Sequence, residues 1–594
     1  MSHRPGRMRS YPSLTIEGHP FHPCDGLDSA RDDPANTIMS DARITAIQDI
    51  QGTELHSALA GTEVLTRGVV IGVTRKGFFL QDPGGDIHGD ASCGIFVFER
   101  RGKPAVGSLV EVSGKVVDYA PDETSRPTTQ IEERETRVLQ EKGPGVKAYW
   151  LTAERVLVGA SRLRALLNSL EGMLVEIPAD STFVAPSNLF GDYVVLPPGG
   201  DLERTPFGGV LIDPHEPHRW LPGFRVLDNA DAPQVHVGSK LLQPVRGPLN
   251  FRVASYQIAA SGPVKVAPSR VEIKPTQLVG EGKRVTVLSL NGFNLDAHVE
   301  DASAVQDPSR DVDDDLRSGR FDGLGRAIAV DSRAPDIVAL QEIQDDDGAE
   351  LTDVVSAGKT LESLVKAVRR AGGPAYEWVD VPPVAGADGG QPGGNIRNAY
   401  LYRPDRVRLV EGSLRRLGDG TPAFSDSRKP LIARFAELGS GAELEVINVH
   451  LASKRHQLGL FAPERPGFDS RLSLRVEQAN MIGDELRLLR EAGVDYLVTG
   501  DFNDFEFSET LRTLTADHSV NLIERLPAEE RFDYNHRGLS QALTHGVVSK
   551  RQLEGRSVEY EILHGNALLG ANPGQIGKRA SDHAYVIARL ELQS

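Results

Sequence analysis

The sequence predicts a multi-domain protein in which small all-β modules precede a mixed α/β domain. Three observations carry this reading. The chain is 594 residues long, well beyond one hydrophobic core. From about Ile44 short apolar strands alternate with glycine-marked turns. From Arg284 the pattern changes to buried strands interleaved with long amphipathic helices.

Residues 1–42 carry Pro, Gly and scattered charge with no periodic apolar pattern, and read as a disordered leader. Residues 43–145 hold the first β module. Its strands are Glu63–Val73, Gly77–Asp82, Gly94–Phe98, Ser108–Val116 and Thr128–Ile131, closely spaced as in a small β-barrel. A helix over Ser161–Leu170 opens a second β-rich module, 150–275, with strands at Leu170–Ile177, Tyr193–Leu196 and Arg246–Val253. This module reads as a further barrel-like unit, a distant copy of the first. A Pro-containing connector near Ile273–Gly282 leads into the α/β domain, 284–592. There Arg284–Leu290, Asp336–Leu340, Leu444–Val449, Tyr496–Thr499 and Ala584–Leu590 read as core strands. Thr360–Ala371 and Leu472–Glu491 read as amphipathic helices, with a shorter helical stretch at Arg326–Ser332. Ala385–Gly394 is a glycine-rich surface loop, and the acidic run Asp311–Asp315 reads as a solvated face.

Composition narrows the class. Hydrophobic content of 39% and charged content of 25% are those of soluble globular protein. No stretch approaches the roughly 18 apolar residues of a membrane helix, and the leader has no apolar core of a secretory signal. The expectation is a cytoplasmic protein with no membrane association and no obligate protein partner. Cys24 and Cys93 form neither a disulfide framework nor a zinc cluster. The 83 acidic against 66 basic side chains give a net charge of −17. That argues against a protein that grips phosphate backbone through its overall field, and a nucleic-acid enzyme of this composition works through bound metal ions and a local basic groove.

The chemistry concentrates where strands of the α/β domain end. Asn291, Glu342, the pair His450 and Lys454, the group Asp501, Asn503 and Asp504, and the pair Asp582–His583 each sit at a strand terminus. Singly, such residues serve as turn formers or caps. Together they supply what metal-assisted phosphodiester hydrolysis requires. Glu342, Asp582 and the Asn291 amide offer hard oxygen ligands. Asp501 is a carboxylate to position or deprotonate water. Asn503, His450 and His583 are donors for charge developing on phosphoryl and leaving oxygens.

Ser-Leu-Asn291, Leu-Gln-Glu342, Tyr400-Leu-Tyr402-Arg-Pro, Asn-Val-His450, Gly-Asp501-Phe-Asn503 and Ser-Asp582-His583 occur in one order across 284–592. In this the sequence resembles the endonuclease/exonuclease/phosphatase superfamily, with its DNase I-like four-layer α/β sandwich. The resemblance implies metal ligation by Asn291, Glu342 and Asp582, water activation by Asp501, and transition-state contacts by Asn503. It implies phosphate contacts by His450 and His583, and substrate contacts by Arg397, Asn398 and Tyr402. Magnesium or manganese, with calcium as a third hard cation, is the implied cofactor. Upstream, Gly77-Phe-Phe-Leu-Gln-Asp-Pro83 and Gly94-Ile-Phe-Val resemble the OB-fold module of large bacterial nucleases. There Phe78, Phe79 and Phe98 are the candidate stacking aromatics, unless they fill the barrel. Related bacterial nucleases are often extracellular.

One position departs from the family pattern. Where an Asp is expected to orient the terminal histidine, the chain reads Leu543-Thr544-His545. Thr544 implies that His583 lacks its carboxylate partner, unless His545 or Asp533 substitutes. The expected function is a metal-dependent endo- or exonuclease acting on DNA or RNA. The alternatives are a phosphatase or lipid phosphodiesterase of the same fold, or a catalytically weakened nucleic-acid-binding protein.

Overall fold

The computed structural model describes residues 43–99, 102–121, 125–455, 457–516, 518–571 and 580–593, so the leader and Cys24 lie outside the described residues. Five strands close into a barrel: β1 (Glu63–Thr74), β2 (Gly77–Gln81), β3 (Gly94–Phe98), β4 (Leu109–Tyr119) and β5 (Thr128–Gln140). Their order is β1-β2-β3-β5-β4, with β3 and β5 parallel and the other neighbours antiparallel. Alternation along β4 turns Val110, Val112 and Val116 inward. There they meet Phe78, Leu80, Ile95, Val97 and Ile131. Ile47 and Ile50 of a short helix, Ile47–Gln51, complete this core.

Residues 149–267 form a different architecture from the barrel. Short strands build an open nine-stranded sheet running from Val266–Ala267 at one edge to Tyr149–Trp150 at the other. The module is therefore no copy of the barrel; strands of two to eight residues carry too little period to show this in sequence. Its core gathers Phe183, Tyr193 and Phe224, the last two stacked 4.9 Å apart, under Leu163 and Leu167 of the helix Ala160–Ser169. Barrel and sheet meet backbone to backbone. A Cβ on Gly94 would lie 2.4 Å from the Gly172 carbonyl carbon, so neither partner can retreat from the other around a side chain. Phe79, Ile71 and Leu174 seal the same contact.

The α/β domain is a four-layer sandwich. One sheet runs Glu377–Asp380, Arg397–Tyr402, Ile337–Ile343, Arg284–Leu295, Tyr585–Glu591, Val558–Leu563. The other runs Val407–Leu409, Leu431–Glu437, Glu443–His450, Tyr496–Asp501, Thr544–Ser549, Ser519–Asn521. Val287, Ile337 and Tyr400 from the first meet Phe435, Val446 and Leu497 from the second. Helices Arg320–Arg326 and Gly358–Arg370 cover the outer face of the first sheet, and Leu472–Glu491 and Glu509–Thr515 that of the second. The acidic run is not a solvated face. Asp315 is fully buried against Arg320, and Asp296, Asp313 and Asp315 bring carboxylate oxygens within 4.8 Å of one another. Burial and the neighbouring Glu300 and Asp315 charges push Asp296 up to about 9.

The β-rich region and the sandwich share structure. Val210–Leu211 pairs in parallel with Leu539–Gln541, adding a strand of one to the other. Val184, Leu196, Val210 and Leu221 pack with Phe505, Leu539 and Leu543, which flank the strand ends carrying Asp501 and Thr544. The connection after His450 runs out to the nine-stranded sheet, where Phe461 inserts edge-on among Trp220, Phe251 and Tyr256, its centroid 5.1 Å from Tyr256. Phe461→Ala should cost about 3–5 kcal/mol, the usual range for a large aromatic removed from a core. The measurement is the denaturation midpoint, and an unchanged midpoint would show that this segment is not anchored there.

Candidate active site

Irregularities in both sheets place the functional side chains. The pairing of Arg284–Leu295 with Ile337–Ile343 slips between Asn291 and Leu295. Pairing of Ile337–Ile343 with its other neighbour slips between Leu340 and Ile343. Phe293, Asn294 and Glu342 accordingly take left-handed φ of 56°, 54° and 54°. Such bulges re-aim side chains at a strand end, here turning Asn291 and Glu342 toward the second sheet. On that sheet His450 and Asp501 are direct partners across parallel strands, and Asp501 faces Thr544 on the other side. Gly500 at φ 138° allows this approach; a Cβ there would sit 2.0 Å from the Val449 carbonyl oxygen. Asn503, at φ 51°, completes the turn by donating its backbone N–H to Asp501 Oδ1 over 2.7 Å.

Beneath these residues the sheets are bridged. The Gln341 amide donates to Asn448 Oδ1 over 2.7 Å, and Asn448 Nδ2 donates to the carbonyls of Leu340 and Ala399. Both side chains are fully buried.

Glu342, His450 and Asp501 bring ligand atoms within 4.8 Å of one another. His450 Nε2 lies 3.7 Å from both Glu342 Oε1 and Asp501 Oδ2. Its Nδ1 accepts from Arg428 Nε over 3.3 Å, so the proton of the neutral ring belongs on Nε2, facing the carboxylates. Burial, then the Arg428 and His583 charges, hold His450 well below the usual histidine range. Asn291 donates its amide to Glu342 Oε1 over 3.1 Å and to Asp501 Oδ2 over 3.5 Å. Its oxygen accepts from the Phe293 N–H, so Asn291 meets the two carboxylates as a donor. Burial, then the Asp582 charge, raises Glu342 to about 7, and burial raises Asp501 to about 6. This excess of carboxylate charge over cationic partners, on hard oxygen donors, fits a divalent cation.

His583 has a carboxylate partner after all. Asp533 Oδ2 lies 2.8 Å from His583 Nδ1, while Asp533 Oδ1 accepts the backbone N–H groups of Leu543 and Thr544. Thr544 donates its hydroxyl to Asp533 Oδ2 over 2.7 Å. The expectation that Thr544 deprives His583 of its anion is thus overturned: the carboxylate comes from the Phe532-Asp533-Tyr534 segment, and Thr544 holds it. His545 takes no part; it contacts the Asp504 carbonyl and Asn521. Burial opposes the imidazolium, but the Asp501 charge and the Asp533 hydrogen bond outweigh it and carry His583 up to about 10. Its Nε2 points at Asp501 Oδ2, 3.8 Å away, and the Tyr534 ring lies against it at 4.7 Å.

Other expected contacts lie elsewhere. Tyr402 is at the opposite end of its strand, buried in the core with its hydroxyl on Glu377. Arg397 is buried against Asp380 and the carbonyls of Val355 and Asn395. Asn398 braces the carbonyls of Lys429 and Asn448. Phe78 fills the barrel and Phe79 the contact with the nine-stranded sheet, so neither offers a free ring face. Sequence reasoning missed Arg428 and the bridge of Gln341 and Asn448, and gave Asp533 only as a substitute; Gln341 and Asn448 sit within the motifs themselves, whereas no local signal marks Arg428.

Two variants test this arrangement. Asp533→Asn should slow the reaction by about 10- to 100-fold, the usual loss when a partner orienting an active-site histidine is removed. Thr544→Asp should destabilise the chain by about 3 kcal/mol and slow it, because a second buried carboxylate would face Asp533 unpaired. Turnover and melting temperature decide both, and a faster Thr544→Asp enzyme would refute the Asp533 assignment.

The sequence model of the Endonuclease/Exonuclease/phosphatase family matches residues 293–575, and that of a domain of unknown function (DUF8508) matches 165–269. No curated protein matches the chain. Among solved structures, an endonuclease/exonuclease/phosphatase family protein from Bacteroides thetaiotaomicron is similar at 17% identity, over 52% of this chain and 98% of its own, with a TM-score of 0.34. A mannosyl-6-phosphatase from the same organism is similar at 17% identity, over 51% and 98%, with a TM-score of 0.32. D. rerio TDP2, complexed with single strand DNA product, is similar at 14% identity, over 52% and 98%, with a TM-score of 0.31. With the motifs on both sheets, the match over 293–575 makes the C-terminal half of this chain similar to the endonuclease/exonuclease/phosphatase family.

Proposed function

We propose that the chain is a divalent-metal-dependent nuclease that hydrolyses phosphodiester bonds of DNA or RNA. The observation that supports this best is the meeting, at one rim of the sandwich, of Glu342, His450 and Asp501 with the Asp533–His583 pair. Glu342 and Asp582 would hold the cation, and magnesium, with manganese or calcium as substitutes, suits their hard oxygens. When bound, the cation supplies Lewis-acid stabilisation to a phosphoryl oxygen.

The protein groups divide the remaining work. Asp501, raised to about 6, combines ionisation at neutral pH with enough basicity to take a proton from water. Its Oδ1 is held by the Asn503 N–H, which leaves Oδ2 toward the two histidines. His583, kept charged by Asp501 and Asp533, faces negative charge on a phosphoryl oxygen. His450 offers a neutral N–H to the same centre, its orientation set by Arg428. The five-stranded barrel, with strand order β1-β2-β3-β5-β4, is read as an OB-type module upstream of the site.

Glu342→Gln should abolish metal-dependent cleavage, lowering it by about a hundredfold or more, with the melting temperature preserved. Chelation of the wild-type protein with EDTA should do the same. Cleavage within about threefold of wild type across a magnesium series would remove Glu342 from the ligand set. Release of phosphate from monoesters without cleavage of DNA or RNA would favour the phosphatase reading.

A further inference from the structure

On the nine-stranded sheet, one carboxylate is surrounded by three guanidinium groups. Arg225, the cross-strand neighbour of Asp192, places Nη1 3.7 Å from its Oδ1, and Arg252 places Nη1 3.8 Å from the same oxygen. The third, Arg537, reaches over from the sandwich, where its Nη2 donates to the Val253 carbonyl over 2.8 Å, and its charge also acts on Asp192. Neither Arg225 Nη1 nor Asp192 Oδ1 finds a hydrogen bond. The group therefore carries two positive charges more than it neutralises, on a protein whose net charge is −17. The strain is visible in the arginines. Burial and the Arg225 charge hold Arg252 below the usual range, and burial does the same to Arg537. The side chains remain accessible, Arg225 being 28% and Arg252 41% exposed.

An exposed aromatic residue lies close in sequence to that carboxylate. Phe190, two residues before Asp192, is 60% exposed. It is not on a loose loop: Asn188 Oδ1 accepts the backbone N–H groups of both Phe190 and Asp192, at 3.0 and 3.1 Å. An exposed ring on a hydrogen-bonded turn, together with excess arginine charge, is the combination that binds unpaired nucleotides, by stacking on the base and contact with the backbone. The group is also joined to the catalytic centre by a short strand: Arg537 lies at the turn just beyond Tyr534–His536, and the Tyr534 ring touches His583.

We propose that Arg225, Arg252, Arg537 and Phe190 form a subsite for a single-stranded stretch of the polynucleotide substrate, flanking the catalytic centre. The inference rests on the nuclease reading above and assigns a role to the module that matches the domain of unknown function.

The test is binding of a fluorescein-labelled single-stranded oligonucleotide to the full chain, in EDTA, by anisotropy over a salt series. The double variant Arg225→Ala/Arg252→Ala should reduce the slope of log K against log salt by about 1.4, the loss of two single-strand phosphate contacts. Arg252→Lys should keep most of its share of the slope. Phe190→Ala should weaken binding by about tenfold at every salt concentration, leaving the slope intact. Because Phe190 is exposed, this variant also serves if the double variant fails to fold. Absence of wild-type binding, an unchanged slope in the double variant, or unchanged affinity in Phe190→Ala would each overturn the proposal. Chelation separates the two readings. A chain that binds in this pattern but never cleaves with magnesium refutes the nuclease and keeps the subsite, and one that cleaves with an unaltered slope does the reverse.

Discussion

The site depends on one buried contact between two amides. Gln341 and Asn448 project from different sheets and meet at 2.7 Å in the middle of the sandwich. Apolar packing alone tolerates sliding of one sheet over the other, because it is nearly non-directional. A buried amide pair does not, since any slip leaves polar groups unsatisfied at a cost of about 1–3 kcal/mol each. Asn448 is saturated: besides Gln341 it uses the carbonyls of Leu340 and Ala399, and its backbone N–H donates to the Tyr400 hydroxyl. Glu342 follows Gln341 directly, and His450 lies two residues beyond Asn448. The distance between sheets is thereby converted into the distance between functional groups.

Above that bridge, ordinary strand geometry is abandoned. Left-handed φ at Glu342 and Asn503, neither of them glycine, is sustained by hydrogen bonds from Asn294 to Glu342 and from Asn503 to Asp501. Stored strain of this kind fixes direction where a regular strand would alternate faces. Electrostatics then divides the labour. Of two histidines a few ångströms from Asp501, His450 is kept neutral by burial and then by Arg428, while the Asp501 charge and the Asp533 hydrogen bond keep His583 charged.

How far the sequence showed this varied with the kind of information needed. Long, strongly patterned elements were legible: Leu472–Glu491 was read with its observed bounds, and the strand ends bearing Glu342, His450, Asp501 and His583 came from local motifs. Contacts made through space were not. Asp533 reaches His583 from 50 residues away, and Thr544, which occupies the expected position, turned out to hold that acid in place. Tyr402 shares a motif with Tyr400 yet lies at the far end of its strand. The acidic run looked solvated because charge is usually exposed, whereas Arg320 makes burial of Asp315 tolerable. The nine-stranded sheet was hardest, since many of its strands are only two residues long.

The pairing of Tyr585–Glu591 with Arg284–Leu295 bears on how the protein comes into being. The partners are separated by some 300 positions, and the later strand inserts between the earlier one and Val558–Leu563. Long-range pairing of this kind is slow to form, and until it forms both neighbours present open edges to other chains. His583 stands at the entrance to that inserting strand. Assembly of the first sheet and arrival of the charged histidine beside Asp501 are therefore one event, so a molecule still searching for its topology has an incomplete site.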